Sequence, residues 1–193
     1  MKKLSAIVSD FDDTLFFNKK ALIYAAKELY DNLIKSNDTC QDYKLLSDLE
    51  ITIGEGKVAK GFNKKWKTDL YTLAYVKYSE ELHPNEPFIN YINECVKNGS
   101  ELIILSARGE EFRKETEELL NAYNLNYKQI ILPKNHELKD EEWKLLEIKK
   151  LSDKYDSLSL FEDKEENIRY ILKNSNINNL ECYLVNHSII RKM

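Results

Sequence analysis

The stretch Leu4-Ser5-Ala6-Ile7-Val8-Ser9-Asp10-Phe11-Asp12-Asp13-Thr14-Leu15 decides how the chain is read. It begins as a short apolar run and ends in an acidic turn. A short run rich in Ile and Val, with few polar interruptions, is the pattern of a parallel strand covered on both faces. In open α/β sheets, ligands bind outside the carboxyl ends of strands. Asp10 and Asp12, two positions apart, could therefore present two carboxylates at one strand mouth. Carboxylates crowded there repel one another unless a divalent cation sits between them. The plainer alternative is an acidic, helix-capping turn after a strand.

Four further apolar runs read as buried strands: Glu101–Ser106, Gln129–Leu132, Leu158–Phe161 and Glu181–Val185, with Leu4–Ser9 as the first. Helical patterns lie between them. Pro87 opens one and Gly99 closes it, with Phe88, Ile89, Ile92, Cys95 and Val96 on its buried side; early Pro and late Gly is the expected polarity. Glu110–Tyr123 places Phe112, Thr116, Leu119 and Tyr123 together. Asp140–Lys154 opens with acids and carries Trp143, Leu146, Lys150 and Leu151. Lys164–Asn174 carries Ile168, Ile171 and Leu172. Strands alternating with helices predict a doubly wound α/β sheet.

One interval breaks that rhythm. Between the first strand and Pro87 no convincing core strand occurs. Ala21–Lys35 is amphipathic through Leu22, Ala25, Leu29 and Leu33, and Trp66–Tyr78 sets Leu70, Leu73 and Ala74 opposite Tyr71, Tyr75 and Tyr78. Gly54, Gly56 and Gly61 mark a tightly turned stretch between these helices. The expected organisation is an α/β core made of residues 1–17 and 84–193, with a helical cap inserted at 18–83.

The other strand ends carry matching chemistry. Leu102–Leu105 runs into Ser106-Ala107-Arg108-Gly109, a hydroxyl and a guanidinium. Leu158–Phe161 runs into Glu162-Asp163, with Asn167 four residues beyond Asp163, and Lys144 lies between these two strands. An acid pair, a hydroxyl, a lysine and a second acid pair form a phosphoryl-transfer constellation. One carboxylate attacks phosphorus, a second handles the proton, and cations neutralise the equatorial oxygens.

The order and spacing resemble the haloacid dehalogenase superfamily, whose first motif reads Asp-x-Asp-x-Thr after a strand. The resemblance covers roughly residues 1–17 and 84–193. It implies a Rossmann-like core with a central parallel five-stranded sheet flanked by helices, a small helical cap, and a Mg²⁺-dependent phosphatase working through an aspartyl-phosphate. Asp10 resembles the nucleophile. Asp12 resembles the general acid and base, its backbone carbonyl also binding the metal. Thr14 resembles the residue that steadies the turn, and Ser106, with Ala107, the second-motif segment that holds a phosphate oxygen. Lys144 resembles the lysine that neutralises nucleophile and phosphate, and Asp163 the magnesium ligand, helped by Glu162 or Asn167.

Two departures keep alternatives open. Glu162-Asp163 stands where paired aspartates or Gly-Asp are commoner, so either acid could ligate the metal directly. Lys144, Lys149 and Lys150 fall on one predicted helix. Lys144 is favoured because it follows Trp143, an aromatic–lysine pair that looks like that of several superfamily phosphatases. Arg108 in Ser-x-Arg resembles the 3′-phosphatase domains of polynucleotide end-healing enzymes, where it binds phosphate as a planar fork. Equally it could cap the next helix or pair with Glu110 and Glu111. The rival functions are a non-catalytic phosphate- or protein-binding domain of this fold, and a metal-independent haloacid dehalogenase. The nucleophile and acid argue against the first, and Asp12 with the acidic fourth motif against the second.

The bulk properties agree. Hydrophobic residues make up 42% and charged residues 32% of 193, with net charge −4, which suits a globular chain and offers no general polyanion-binding field. No apolar stretch reaches the roughly 18 residues of a bilayer span. The expected partners are a small phosphomonoester or a polynucleotide end, with no membrane; the expected compartment is the cytoplasm, and the oligomeric state is left open. Cys40, Cys95 and Cys182 read as reduced packing residues. His83, His136 and His187 lack metal-ligand spacing. Lys134, Asn135 and His136 are weaker candidates for the site mouth.

Overall fold

The computed structural model describes residues 4–36, 64–135 and 137–193. Cys40, Gly54, Gly56, Gly61 and His136 lie outside the described residues. The chain divides into two compact units, one of Met1–Phe16 with Pro84–Met193, the other Phe17–His83.

In the first unit the strands are β1 (Ser5–Ser9), β4 (Glu101–Leu105), β5 (Gln129–Ile131), β6 (Ser157–Glu162), β7 (Leu180–Asn186) and β8 (Ile189–Lys192); the two-residue strands β2 (Phe16–Phe17) and β3 (His83–Pro84) mark where the chain leaves and returns. The sheet runs β5-β4-β1-β6-β7-β8. All its pairings are parallel except β7 with β8. The expected five parallel strands are therefore joined by a sixth, antiparallel one. After β7, His187 adopts a left-handed backbone (φ 52°) and Asn186 pairs with Ile189, so a two-residue turn folds the end of the chain back as an edge hairpin. Ile189 is exposed and Arg191 and Lys192 are charged. Such an edge strand carries no buried apolar run by which to recognise it.

Alternation along the strands divides the core into two layers. Ile7, Leu102 and Ile104 face a cluster with Phe88, Ile89 and Ile92 of α3 (Glu86–Lys97) and Leu120 of α4 (Arg113–Ala122). Ala6, Val8, Ile103, Leu105, Leu158 and Leu160 face Leu145, Ile148 and Leu151 of α5 (Asp140–Ser152), and Ile168 and Ile171 of α6 (Glu165–Asn174). Both faces of the sheet are thus covered, as near-continuous apolar strands require. Each fully buried Leu or Ile contributes about 1.5–3 kcal/mol relative to exposure.

Strands β1, β4 and β5 step one way across the sheet, while β6 and β7 lie on the other side of β1. The direction of winding reverses between β1 and β6, and their carboxyl ends open the crevice where ligands bind in such sheets.

The second unit contains α1 (Lys19–Ser36) and α2 (Lys64–Thr72), the latter widening into a π-helical turn at Leu73–Lys77. Leu22, Ala25, Leu29, Leu70 and Ala74 are buried, as their spacing requires. Tyr71 stacks on Tyr75, and Tyr78 donates a 2.6 Å hydrogen bond to Glu28. Tyr75 is buried, and Tyr71 and Tyr78 are half-buried.

Candidate active site

The site begins where β1 ends. Asp10 N–H donates to Phe161 of β6 at 2.9 Å, the last tie to the neighbouring strand, and the chain then curls into a compact loop. Leu15 and Phe16 N–H both return to the Phe11 carbonyl, and Asp13 takes a left-handed backbone, φ 57°, which Asp tolerates better than most residues. Phe11 and Phe16 stack at 4.9 Å and are wholly buried. The aromatic ring between the two acids is thereby anchored in the core. Asn85 supports the loop from the return point, donating from its side chain to the Thr14 carbonyl at 3.0 Å.

Asp10 is buried; its Oδ1 accepts the Phe11 N–H at 2.8 Å, and its Oδ2 lies 3.0 Å from Lys144 Nζ. Lys144 is completely buried, 2.7 Å from Glu162 and 3.5 Å from Asp140. It reaches the site because α5 presents Lys144, Leu145, Ile148 and Leu151 inward. That face differs from the one expected: Leu146 and Lys150 are exposed, and Trp143 is half-buried. A lysine sits at a core position of the helix, so the apolar stripe read from the sequence was rotated around it. Of the three candidate lysines, only Lys144 is buried; Lys149 and Lys150 face solvent.

Glu162 and Asp163 close the site from the end of β6. Glu162 Oε1 also accepts the Lys164 N–H at 3.1 Å. Thr14 Oγ1 lies 3.5 Å from Asp163 Oδ1, linking the two strand ends weakly. Carboxylate oxygens of Asp10, Glu162 and Asp163 lie within 4.8 Å of one another, a set that could hold a metal ion. Asn167, on the following helix, is buried, and its amide donates to Asp140 at 3.1 Å.

The charges of the site are unevenly balanced. Burial pushes Asp10 up to about 8 despite the opposing pull of Lys144. Burial, reinforced by Asp10 and Glu162, pushes Asp163 up to about 9. Burial would also raise Glu162, but the Lys144 charge and hydrogen bond prevail and bring it down to about 2. For Lys144 burial acts downward, and Asp10, Glu162 and Asp140 together hold it well above its ordinary value. Lys144 and Glu162 thus satisfy each other, whereas the negative charges of Asp10 and Asp163 are under-compensated. A hard divalent cation, preferring oxygen donors, would relieve both.

Ser106 is buried at the end of β4, its Oγ accepting the Arg108 N–H at 3.3 Å; Ala107 lines a small pocket of about 80 Å³ with Pro133, Asn135, Leu138, Asp140 and Trp143. Arg108 reaches the loop after β1. Its guanidinium grips Asp12 with both arms, Nε to Oδ2 and Nη2 to Oδ1, each at 2.8 Å, while Glu110 pairs with Arg113. Two members of the site escaped sequence reasoning in these roles, Asp140 as a partner of Lys144 and Arg108 as a partner of Asp12. The i,i+4 spacing of Asp140 and Lys144 was the available signal for the first.

No family model matches the chain, and no curated protein matches it in sequence. Solved structures do. A Bacteroides fragilis chain described as a haloacid dehalogenase-like hydrolase has TM-score 0.56 at 16% identity, over 89% of this chain and 83% of that one. The fold is that of the haloacid dehalogenase-like hydrolases. A predicted phosphatase from Clostridium acetobutylicum is similar to this chain at TM-score 0.58 and 16% identity, covering 94% of this chain and 84% of its own. A chain of the Pnkp1/Rnl/Hen1 RNA repair complex matches at TM-score 0.56 and 17% identity, over 96% of this chain but 43% of that one. No described helix is long and apolar enough to cross a membrane.

Proposed function

We propose that the chain is a Mg²⁺-dependent phosphomonoester hydrolase that works through an aspartyl-phosphate on Asp10. The observation that carries the reading is the buried Asp10 carboxylate held 3.0 Å from the buried Lys144 ammonium, beside Glu162 and Asp163. Nothing in a packed core requires three acids and a lysine at the mouth between two strands.

Asp10, Asp163 and the Asp12 backbone carbonyl would hold the magnesium ion. Glu162 is engaged with Lys144 and acts chiefly by fixing it. The bound ion supplies positive charge against the phosphoryl oxygens. Asp10 Oδ forms the bond to phosphorus as the ester P–O bond breaks, its electron pair leaving with the alcohol oxygen. Asp12 gives that oxygen its proton, then takes one from the water that cleaves the acyl phosphate. Lys144 neutralises charge on the transferred group, and the Ser106 hydroxyl with the Ala107 segment holds one phosphate oxygen. Thr14 keeps the acidic loop in register with Asp163.

Residues 18–83 serve in this reading as a cap that selects the substrate, since they depart directly after the first motif. The substrate class is a small phosphomonoester or a 3′-phosphorylated polynucleotide end. The Ser106-x-Arg108 sequence and the likeness to a chain of an RNA repair complex are the reasons for retaining the second. Release of inorganic phosphate from nucleotides, sugar phosphates and 3′-phosphorylated oligonucleotides, with Mg²⁺ and with EDTA, tests the reading. Turnover of at least one class that EDTA abolishes is expected; turnover indifferent to EDTA, or none, overturns it.

A further inference from the structure

The Arg108 side chain has no exposed surface, whereas that of Asp12 keeps 20%. Its fork is engaged on several sides. Nε and Nη2 hold the two oxygens of Asp12, Nη1 lies 3.4 Å from Thr116 Oγ1, and the guanidinium carbon sits 4.2 Å over the Phe11 ring. Thr116 is itself fixed, donating to the Phe112 carbonyl at 2.8 Å. A bidentate Arg–carboxylate pair fixes direction as well as distance, and stacking on a fully buried ring adds a second restraint. For Arg108 to reach a phosphate instead, it would have to leave the ring, the threonine and both carboxylate oxygens.

We infer that Arg108 is a positioning residue: it fixes the orientation of the Asp12 carboxylate and so sets how strongly the rate depends on the leaving group. This rests on the phosphatase reading and deepens it. The two short contacts take one lone-pair site on each Asp12 oxygen. Each carboxylate oxygen has a second, and on the exposed side that site carries the proton passed to the departing oxygen. A loosened carboxylate still permits attack by Asp10. It no longer delivers the proton in time, and the penalty grows with the basicity of the leaving group.

The test compares kcat/KM for 4-nitrophenyl phosphate, whose leaving group needs little protonation, with phenyl phosphate, whose leaving group needs more. The ratio of the two cancels any uniform loss of phosphate binding. Arg108→Lys should widen the gap between the esters by about 100-fold, the low end of what general-acid catalysis contributes, and leave inhibition by inorganic phosphate little changed. Thr116→Val, which removes one outer contact, should widen it less and in the same direction. Asp12→Asn should widen it as Arg108→Lys does, and combining the two should add nothing further, because residues acting through one another are not additive.

Equal loss on both esters with weakened phosphate inhibition makes Arg108 a phosphate ligand and overturns the inference. So does an unchanged gap in Thr116→Val if Arg108→Lys does not fold, or a gap that widens in Asp12→Asn but not in Arg108→Lys. A wild-type chain that hydrolyses neither ester, nor any substrate of the wider screen, removes the phosphatase reading itself.

Discussion

The Lys144 ammonium lies 2.7 Å from Oε2 of Glu162, and neither side chain has any exposed surface. An ion pair taken fully out of water pays heavy desolvation, and well-packed apolar residues often stabilise a core as much or more. Its use here is orientation. With Glu162 on one side and Asp140 on another, the third direction of Lys144 points at Asp10.

Removing the lysine should therefore cost more than a lost contact. Lys144→Met leaves buried carboxylates without their cation, and breaking such a pair costs about 3–5 kcal/mol. Lys149→Met and Lys150→Met, on the exposed side of the same helix, should stay within about 0.5 kcal/mol of the parent. Urea unfolding of the three variants compares them directly; similar losses in all three would contradict the burial described.

The metal-free protein should lose stability as pH rises from 5 to 9. Asp10 and Asp163 are both held above the ordinary value of 3.8, at about 8 and about 9. Between those values the folded state retains protons that the unfolded state has released, so the stability slope is negative. Glu162, lowered to about 2, contributes stability that is lost only as pH falls below its ordinary 4.5, outside this window. Magnesium should flatten the decline. At a hundredfold excess over Kd a bound ion adds about 2.7 kcal/mol. Scanning calorimetry at pH 5, 7 and 9, with Mg²⁺ and with EDTA, reads both effects; a metal-free Tm that rises with pH would reverse the sign.

Asp163→Ala should divide stability from function. It removes a carboxylate whose charge is disfavoured by burial and by Asp10 and Glu162, so the metal-free variant should melt above the parent at pH 8. Its magnesium requirement should rise sharply, because the cation loses an oxygen ligand. Melting curves and magnesium titrations of activity check the two halves separately.

Asp10→Asn should be folded and inactive. Lys144 keeps Glu162 and Asp140 as partners, and the amide preserves shape while being a far poorer nucleophile. A native-like unfolding transition with no phosphate release is expected; residual turnover in a clean preparation would exclude the covalent route.

Much of this architecture was legible from local pattern. The run Ser5–Ser9 followed by acids specified a strand with a charged mouth, and Leu158–Phe161 repeated the signal. What escaped was non-local or broke the pattern. Lys144 is marked out by its place after Trp143, but the buried face of its helix is not, because a lysine takes a core position there. The last strand is short, charged and at an edge. The partner of Asp12 stands 96 residues away, while Glu110 and Glu111 beside Arg108 offered nearer choices. Only the parallel register of β1 with β4, Ser9 opposite Ile104, brings the loops after those strands together.

The placement of β1 also bears on how the polypeptide emerges during synthesis. It precedes every other strand of its sheet in chain order, yet it lies between β4 and β6, and the latter ends at residue 162. Some 150 residues separate the two partners, about 8–30 s of elongation at 5–20 residues per second. Until then one edge of the central strand has no neighbour, and Asp10 has neither its lysine nor its companion acids. The acidic loop after β1 therefore gains its full set of partners only after β6 has been made.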